Sequence, residues 1–391
     1  MEDELESPRT LIFSQRNLSK VQPFRCAHFE FEDVVSSIDR VKIVAPKIEA
    51  ASRRYLLAKR LGYHTPIKLH TGIDRTRLQT DYDLFFAICG NPTDLLRVEA
   101  IENWRSHCRK AICLIDEVWL REVEGYRRYL QMLRKFDLVV LYYSYSVKPI
   151  NDIIGPKCVF LPPGVDTVRF CPYPNVPERS VDVYSIGRRS AVTHRAFLKM
   201  AATDGLFYLH DSTSADRVLD PIDHRVLLAN VAKRSRFFIV NPGLIDRPDL
   251  RGTQIEIGNR YFEAAASGSL LLGERPANPE FDKLFDWPDA VIEMPYNSPD
   301  AEKIVRSLDR EPDREERIRR MNVQQCLLRH DWVYRWEAIL KMVGVPPLPE
   351  LEARKRQLRE LAAGISPDGI QSTAGAPAVR VPSAQSPSLV S

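Results

Sequence analysis

Several things are missing from this chain of 391 residues. No stretch approaches eighteen uninterrupted apolar residues, so no membrane-spanning helix is expected. No basic segment followed by an apolar one opens the sequence, and secretion by that route is not expected. The seven cysteines are scattered without a CxxC or any zinc spacing. Several lie inside apolar strands, where they read as small buried hydrophobes, and a cytoplasmic setting is expected. Histidines, cysteines and acids show no metal-ligand spacing, so no metal site is expected. The formal net charge is only +4, too small to argue for nucleic acid. Its excess sits in the first 175 residues, where it could favour an anionic acceptor or a membrane surface.

What is present is an alternation of short apolar runs and helical patterns, in a chain long enough for two cores. Runs such as Thr10–Ser14, Val41–Ala45, Leu84–Cys89, Ala111–Ile115 and Leu138–Tyr143 predict strands. The spacing predicts helices over Arg53–Leu61, Leu95–Cys108 and Glu122–Arg134. Alternating elements imply a parallel sheet covered on both faces. The proline-rich run Phe170–Ser180 reads as a linker, after which the alternation restarts at Val181. Two such domains place the carboxyl ends of their strands around a crevice, where ligands of open α/β sheets bind. Beyond Gly344 come two prolines, a charged helix-like run, and a tail rich in Ser, Pro, Ala and Gly that is expected to be disordered.

The stretch GNRYFEAAASGSLLLGERP, Gly258 to Pro276, reads as loop, helix, glycine and strand, with Asn259 as the N-cap. Arg260 and Glu263 share one helical face. Glu263 is either a first-turn acid paired with Arg260, or a carboxylate that accepts hydrogen bonds from vicinal ribose hydroxyls at a helix N-terminus suited to anions.

Three motifs in register, LPPGVDTVRFCP (Leu161 to Pro172), VDVYSIGRRS (Val181 to Ser190) and RYFEAAASGSLLLGE (Arg260 to Glu274), resemble GT-B-fold glycosyltransferases of the group 1 type, nearest to the spore-maturation-like branch. The resemblance implies an α/β protein with two Rossmann-like domains facing a central crevice and a C-terminal helix returning to the first domain. It divides the chain into an acceptor domain (1–169), a linker (170–180), a nucleotide-sugar-binding domain (181–328), a closing helix (329–345), and a charged helix-like segment with the tail (346–391). Gly187 and Arg188 would then meet the donor's pyrophosphate, and Glu263 its ribose, with Arg260, Asn259 and Glu256 at the same site. Relatives place a sugar-contacting glutamate eight residues before the ribose ligand; that place is Ile255 here, with Glu256 one residue later.

The implied activity is metal-independent, retaining transfer of a sugar from a nucleotide-diphosphate donor to a glycan, lipid-linked or small-molecule hydroxyl. No cofactor and no nucleic acid are expected, and peripheral membrane contact is left open. AICLIDEVWL puts Asp116 and Glu117 after a buried strand at the crevice rim, where either could deprotonate an acceptor hydroxyl; a capping role for Asp116 competes. CAHFEFED offers His28 and Glu30 on an expected loop, His28 being a third catalytic candidate. The aromatics of HDWVYRWEAIL (His330 to Leu340) suit apolar packing on the first domain. The rival functions are a non-catalytic nucleotide-sugar or glycan-binding module, suggested by Ile255, and another reaction in the same crevice such as epimerisation.

Overall fold

The structure, a computed structural model, describes residues 7–17, 21–47, 53–64, 73–212 and 218–365. The expected disordered tail, from Ser366 on, lies outside the described residues.

Six strands form the first sheet: β1 (Thr10–Phe13), β2 (Val41–Val44), β3 (Tyr82–Cys89), β4 (Cys108–Ile115), β5 (Leu138–Leu141) and β6 (Cys158–Phe160). They pair in parallel in the order β2-β1-β3-β4-β5-β6. The second sheet holds β7 (Val181–Ser185), β8 (Tyr208–His210), β9 (Ser235–Val240), β10 (Leu270–Gly273) and β11 (Ile292–Glu293). It is also parallel, in the order β11-β10-β9-β7-β8. Central strands such as β5 (LVVL) and β10 (LLLG) are buried throughout, as sheets covered on both faces require. Strand order reverses between β1 and β3 in one sheet and between β7 and β9 in the other, and both reversals open crevices at the strands' carboxyl ends.

The helices of two turns or more are α1 (Arg25–Ile38), α2 (Arg53–His64), α3 (Val147–Ile154), α4 (Ala191–Thr203), α5 (Pro221–Lys233), α6 (Asn259–Ala266), α7 (Ala301–Leu308), α8 (Pro312–Arg329), α9 (Trp332–Val343) and α10 (Pro349–Ala363). The helices expected over Leu95–Cys108 and Glu122–Arg134 are instead short turns, helical at Leu95–Val98 and Arg127–Leu130. In the first, β4 begins as early as Cys108, which leaves the chain before it as turns that feed the strand.

α9 and α10 pack on the first domain. Trp332 stacks on Phe31 at 4.6 Å between ring centres, and Trp336 donates to Asp39 at 3.0 Å. The charged run after Gly344 docks as well: α10 buries Leu351, Leu358 and Ala362, and Arg354 bridges Asp166 and Asp331.

Candidate functional site

α1 controls the site, because it lies between the first sheet, α5, α9 and α10 and has almost no face in water. His28 and Glu30 were expected on a loop; both lie on α1 and are 2% exposed. A polar group so placed must find a partner. Glu30 accepts from Trp332 Nε1 at 3.0 Å and from the Asp166 amide at 2.9 Å. Its two oxygens also take Arg225 Nε and Nη2 of α5, at 2.8 and 3.0 Å.

Arg225 belongs to the second domain, and its remaining arm donates to Glu263 on α6. The other Glu263 oxygen accepts from Arg260, so a chain Glu30–Arg225–Glu263–Arg260, buried except at Arg260, joins the domains. Burial by itself would raise the Glu263 pKa, but Arg260 and Arg225 outweigh it and hold the carboxyl at about 2. Glu263 is thus paired with Arg260, as the first of its two readings expects, and it is buried. Arg260 is the more exposed of its two partners. Asn259 does not cap α6. Gly258 takes the N-cap position in an extended conformation and makes no side-chain bond, and Asn259 is the first helical residue.

Glu256 also binds the first domain. Its carboxylate accepts the amides of Ser144 and Tyr145 at 3.1 and 3.3 Å, and Gln254 steadies it at 2.8 Å. Gln254 in turn accepts the Leu120 amide at 2.7 Å. This segment works as a clamp across the crevice. Burial pushes the Glu256 carboxyl up to about 7 from 4.5. Between those values the folded state holds a proton that the unfolded chain has released, so this group's contribution to stability falls as pH rises through the window. Urea unfolding at stepped pH should show it, as a loss of up to about 3 kcal/mol that Glu256→Gln removes.

In the first domain, His28 Nε2 and Asp116 Oδ2 lie 2.8 Å apart. Asp116 follows β4 and meets α1 across the first crevice, so its side chain engages His28 and caps no helix. Glu117 turns to Trp119 Nε1 at 2.5 Å. Burial raises its pKa, opposed by that bond and by the charge of Arg188, which reaches across from the second domain.

Arg188 is half exposed and bonds Asp246 at 2.9 Å. Gly187 sits at φ +89°, a conformation that favours glycine, and its amide points to Asp211 at 3.2 Å. Arg189 pairs with that same aspartate. Carboxylates thus occupy the amide and guanidinium donors that an anionic ligand would use. Among the described residues no group of three or more His, Cys, Asp and Glu is placed to hold a metal ion, and no helix is long and apolar enough to cross a membrane.

Sequence reasoning did not single out Arg225, nor His224 beside it, whose Nε2 is buried without a hydrogen-bond partner among the described residues. It also passed over Arg25, Asp94 and Arg97 in the first domain. In PIDHRVLLANVAK the arginine stands where a solvated helix face would also put one, so no local signal was available.

Residues 200–341 match the model of a family described as glycosyl transferase-like. Solved structures agree with the two-sheet architecture. An alpha-glucosyltransferase in complex with UDP-glucose and DNA containing an abasic site superposes with TM-score 0.52 at 12% identity, over 86% of this chain and 100% of the other. The alpha-glucosyltransferase with UDP and a 13-mer DNA containing a HMU base gives 0.52 at 11% identity, over 86% and 99%. The same type of enzyme with UDP alone gives 0.51 at 12%, over 86% and 100%. The chain has the GT-B glycosyltransferase fold. No curated protein matches the chain.

One expectation is overturned. Nucleic acid was excluded as a partner because the net charge is small, yet the structural neighbours include glucosyltransferases solved in complex with DNA. Net charge is a poor guide here because binding depends on where cations sit, and a nearly balanced total hides local excess.

Proposed function

We propose that this protein transfers a sugar from a nucleotide-diphosphate donor to an acceptor hydroxyl in the crevice between its two sheets. One observation carries the reading: within the glycosyl transferase-like segment, the start of α6 holds Arg260 and Glu263, and Arg225 ties that carboxylate to Glu30 of the first domain. The donor's ribose would share Glu263, each of whose oxygens has a second lone pair beyond its arginine bond. Its diphosphate would draw Arg260 and Arg188 away from their present carboxylates. Guanidinium charge at the leaving group lowers the barrier to cleavage of the anomeric bond and supports transfer without a metal ion or other cofactor. The seven buried free thiols support a reducing, cytoplasmic setting. The order of the three motifs supports the spore-maturation-like branch. The acceptors to be screened include nucleic acid.

The resemblance supports retention of anomeric configuration. A second reading is favoured by the His28–Asp116 pair, which has the composition of a general base and its orienting carboxylate, as an inverting displacement requires. The product's anomeric configuration, read by NMR, decides between them.

A thermal-shift screen of nucleotide-sugars followed by transfer assays tests the activity, and nucleotide binding without turnover would favour the non-catalytic module. Glu263→Gln should weaken nucleoside diphosphate binding by about ten- to a hundredfold in calorimetric titration, the effect of weakening charge-assisted bonds. Unchanged affinity in a folded variant would remove Glu263 from the donor site.

A further inference from the structure

The first sheet carries a second buried charge cluster, at the point where its strand order reverses. Arg25 opens α1 beyond β1, and Arg97 lies in the helical turn that follows β3. Each is 5% exposed. Both guanidinium groups share one carboxylate, Asp94, at 2.9 and 2.8 Å, and both approach Gln15 Oε1, at 3.5 and 2.6 Å. The Gly90 amide completes Asp94 at 2.8 Å. Burial would raise the Asp94 pKa, but Arg25 and Arg97 hold it well below the usual carboxylate range. It is therefore a full negative charge, set against two positive ones.

One positive charge is left over in a place where charge is costly. The hydrogen bonding is incomplete as well, since Nε of Arg25 and Nε of Arg97 are both buried without a partner among the described residues. Aromatic rings flank the pair: Arg97 lies 4.4 Å from the ring centre of Tyr55 and Arg25 5.3 Å from that of Phe24. The cluster also adjoins the acceptor-side residues. His28 is one helical turn from Arg25 on α1, and the Asp116 and Glu117 amides bond the carbonyls of Cys89 and Gly90 at 2.9 and 3.1 Å.

We propose that Arg25 and Arg97 form an anion subsite in the first domain that holds a phosphate group of the acceptor while its hydroxyl lies at His28 and Asp116. The proposal rests on reading this crevice as the acceptor side of a sugar transferase. A phosphate ester supplies the negative charge that balances the cluster and the acceptor oxygens that the two orphaned donors lack, and two guanidinium forks suit its geometry. The phosphate can belong to a small phosphorylated alcohol or to the diester backbone of a nucleic acid; the chemistry of the subsite is the same for both.

Calorimetric titration of the full chain, with nucleoside diphosphate in excess to occupy the second domain's arginines, tests the subsite. The probes are glycerol 1-phosphate, a short single-stranded oligodeoxynucleotide, and glycerol as the uncharged control. One or both anions should bind and glycerol should not, and which of them binds identifies the source of the phosphate. Arg97→Gln should weaken that binding at least tenfold and leave nucleoside diphosphate affinity unchanged. Gly90→Ala is a second variant that keeps every charge. The added Cβ would stand 3.0 Å from the Arg25 guanidinium atoms and displace that flexible group, so anion affinity should again fall. Equal binding of glycerol, binding of neither anion, or anion affinity indifferent to both substitutions would overturn the proposal. Loss of nucleoside diphosphate binding in Glu263→Gln is read separately, so failure of the donor assignment is told apart from failure of the anion subsite.

Discussion

Arg225→Met is expected to lose about 3–5 kcal/mol of folding stability, the range found when one partner of a buried ion pair is removed. Arg225 is 2% exposed and serves two buried carboxylates that belong to different domains. Methionine fills much of the same space and still packs on Phe170, over which the guanidinium now sits at 5.0 Å. The loss would therefore report the charges more than a cavity. Glu263 keeps Arg260, and Glu30 keeps Trp332 and the Asp166 amide, but two buried negative charges then face each other with no cation between them, since Arg260 pairs with Glu263 alone. Urea titration at pH 7, followed by tryptophan fluorescence, measures the change. The acid limb should change too. With arginine present, the depressed Glu263 carboxyl contributes stability above its unfolded value of 4.5, and that contribution is lost as pH falls toward about 2. A loss below about 1 kcal/mol would mean that the chain of charges is solvated in solution and that the domains are not joined through it.

Asp116→Asn should lower kcat by about a hundredfold to ten-thousandfold, the usual contribution of a positioned general base, with the donor's KM little changed. Asparagine can still accept a hydrogen bond from His28 but carries no charge to stabilise the imidazolium that forms when the ring takes a proton. The dependence of kcat on pH separates this from a structural role, because loss of the orienting carboxylate weakens His28 as a base and alters the acid limb of the profile as well as the rate. A variant that melts earlier yet turns over normally in its folded fraction would assign the pair to packing, and base duty would then fall to Glu117, whose carboxyl is raised by burial at the same rim.

Much of the architecture was legible locally. Short apolar runs marked most of the strands. The helix-glycine-strand unit around Arg260 and Glu263 came out as written except for its cap, because glycine at 258 serves that position without a side chain. Those features depend on interactions within a few residues, and sequence carries them directly. Turns before β4 were misread as helix, since apolar spacing there is set by contacts with the sheet.

The site itself depended on tertiary structure. CAHFEFED reads as a polar loop because alternating acids are normally solvated; packing on several sides made it a helix instead, and it is tolerated because each charge meets a partner distant in sequence. Glu30 finds Arg225 195 residues away, and His28 finds Asp116 88 residues away. Glu256, placed at the donor site by the family resemblance, accepts backbone amides of the other domain. By itself the sequence determined most of the strands, the restart of alternation that gives a second sheet, and the motif that holds Arg260 and Glu263. Only the tertiary structure decided which charges face each other across the crevice, because burial makes ionic partners obligatory and long-range packing chooses them.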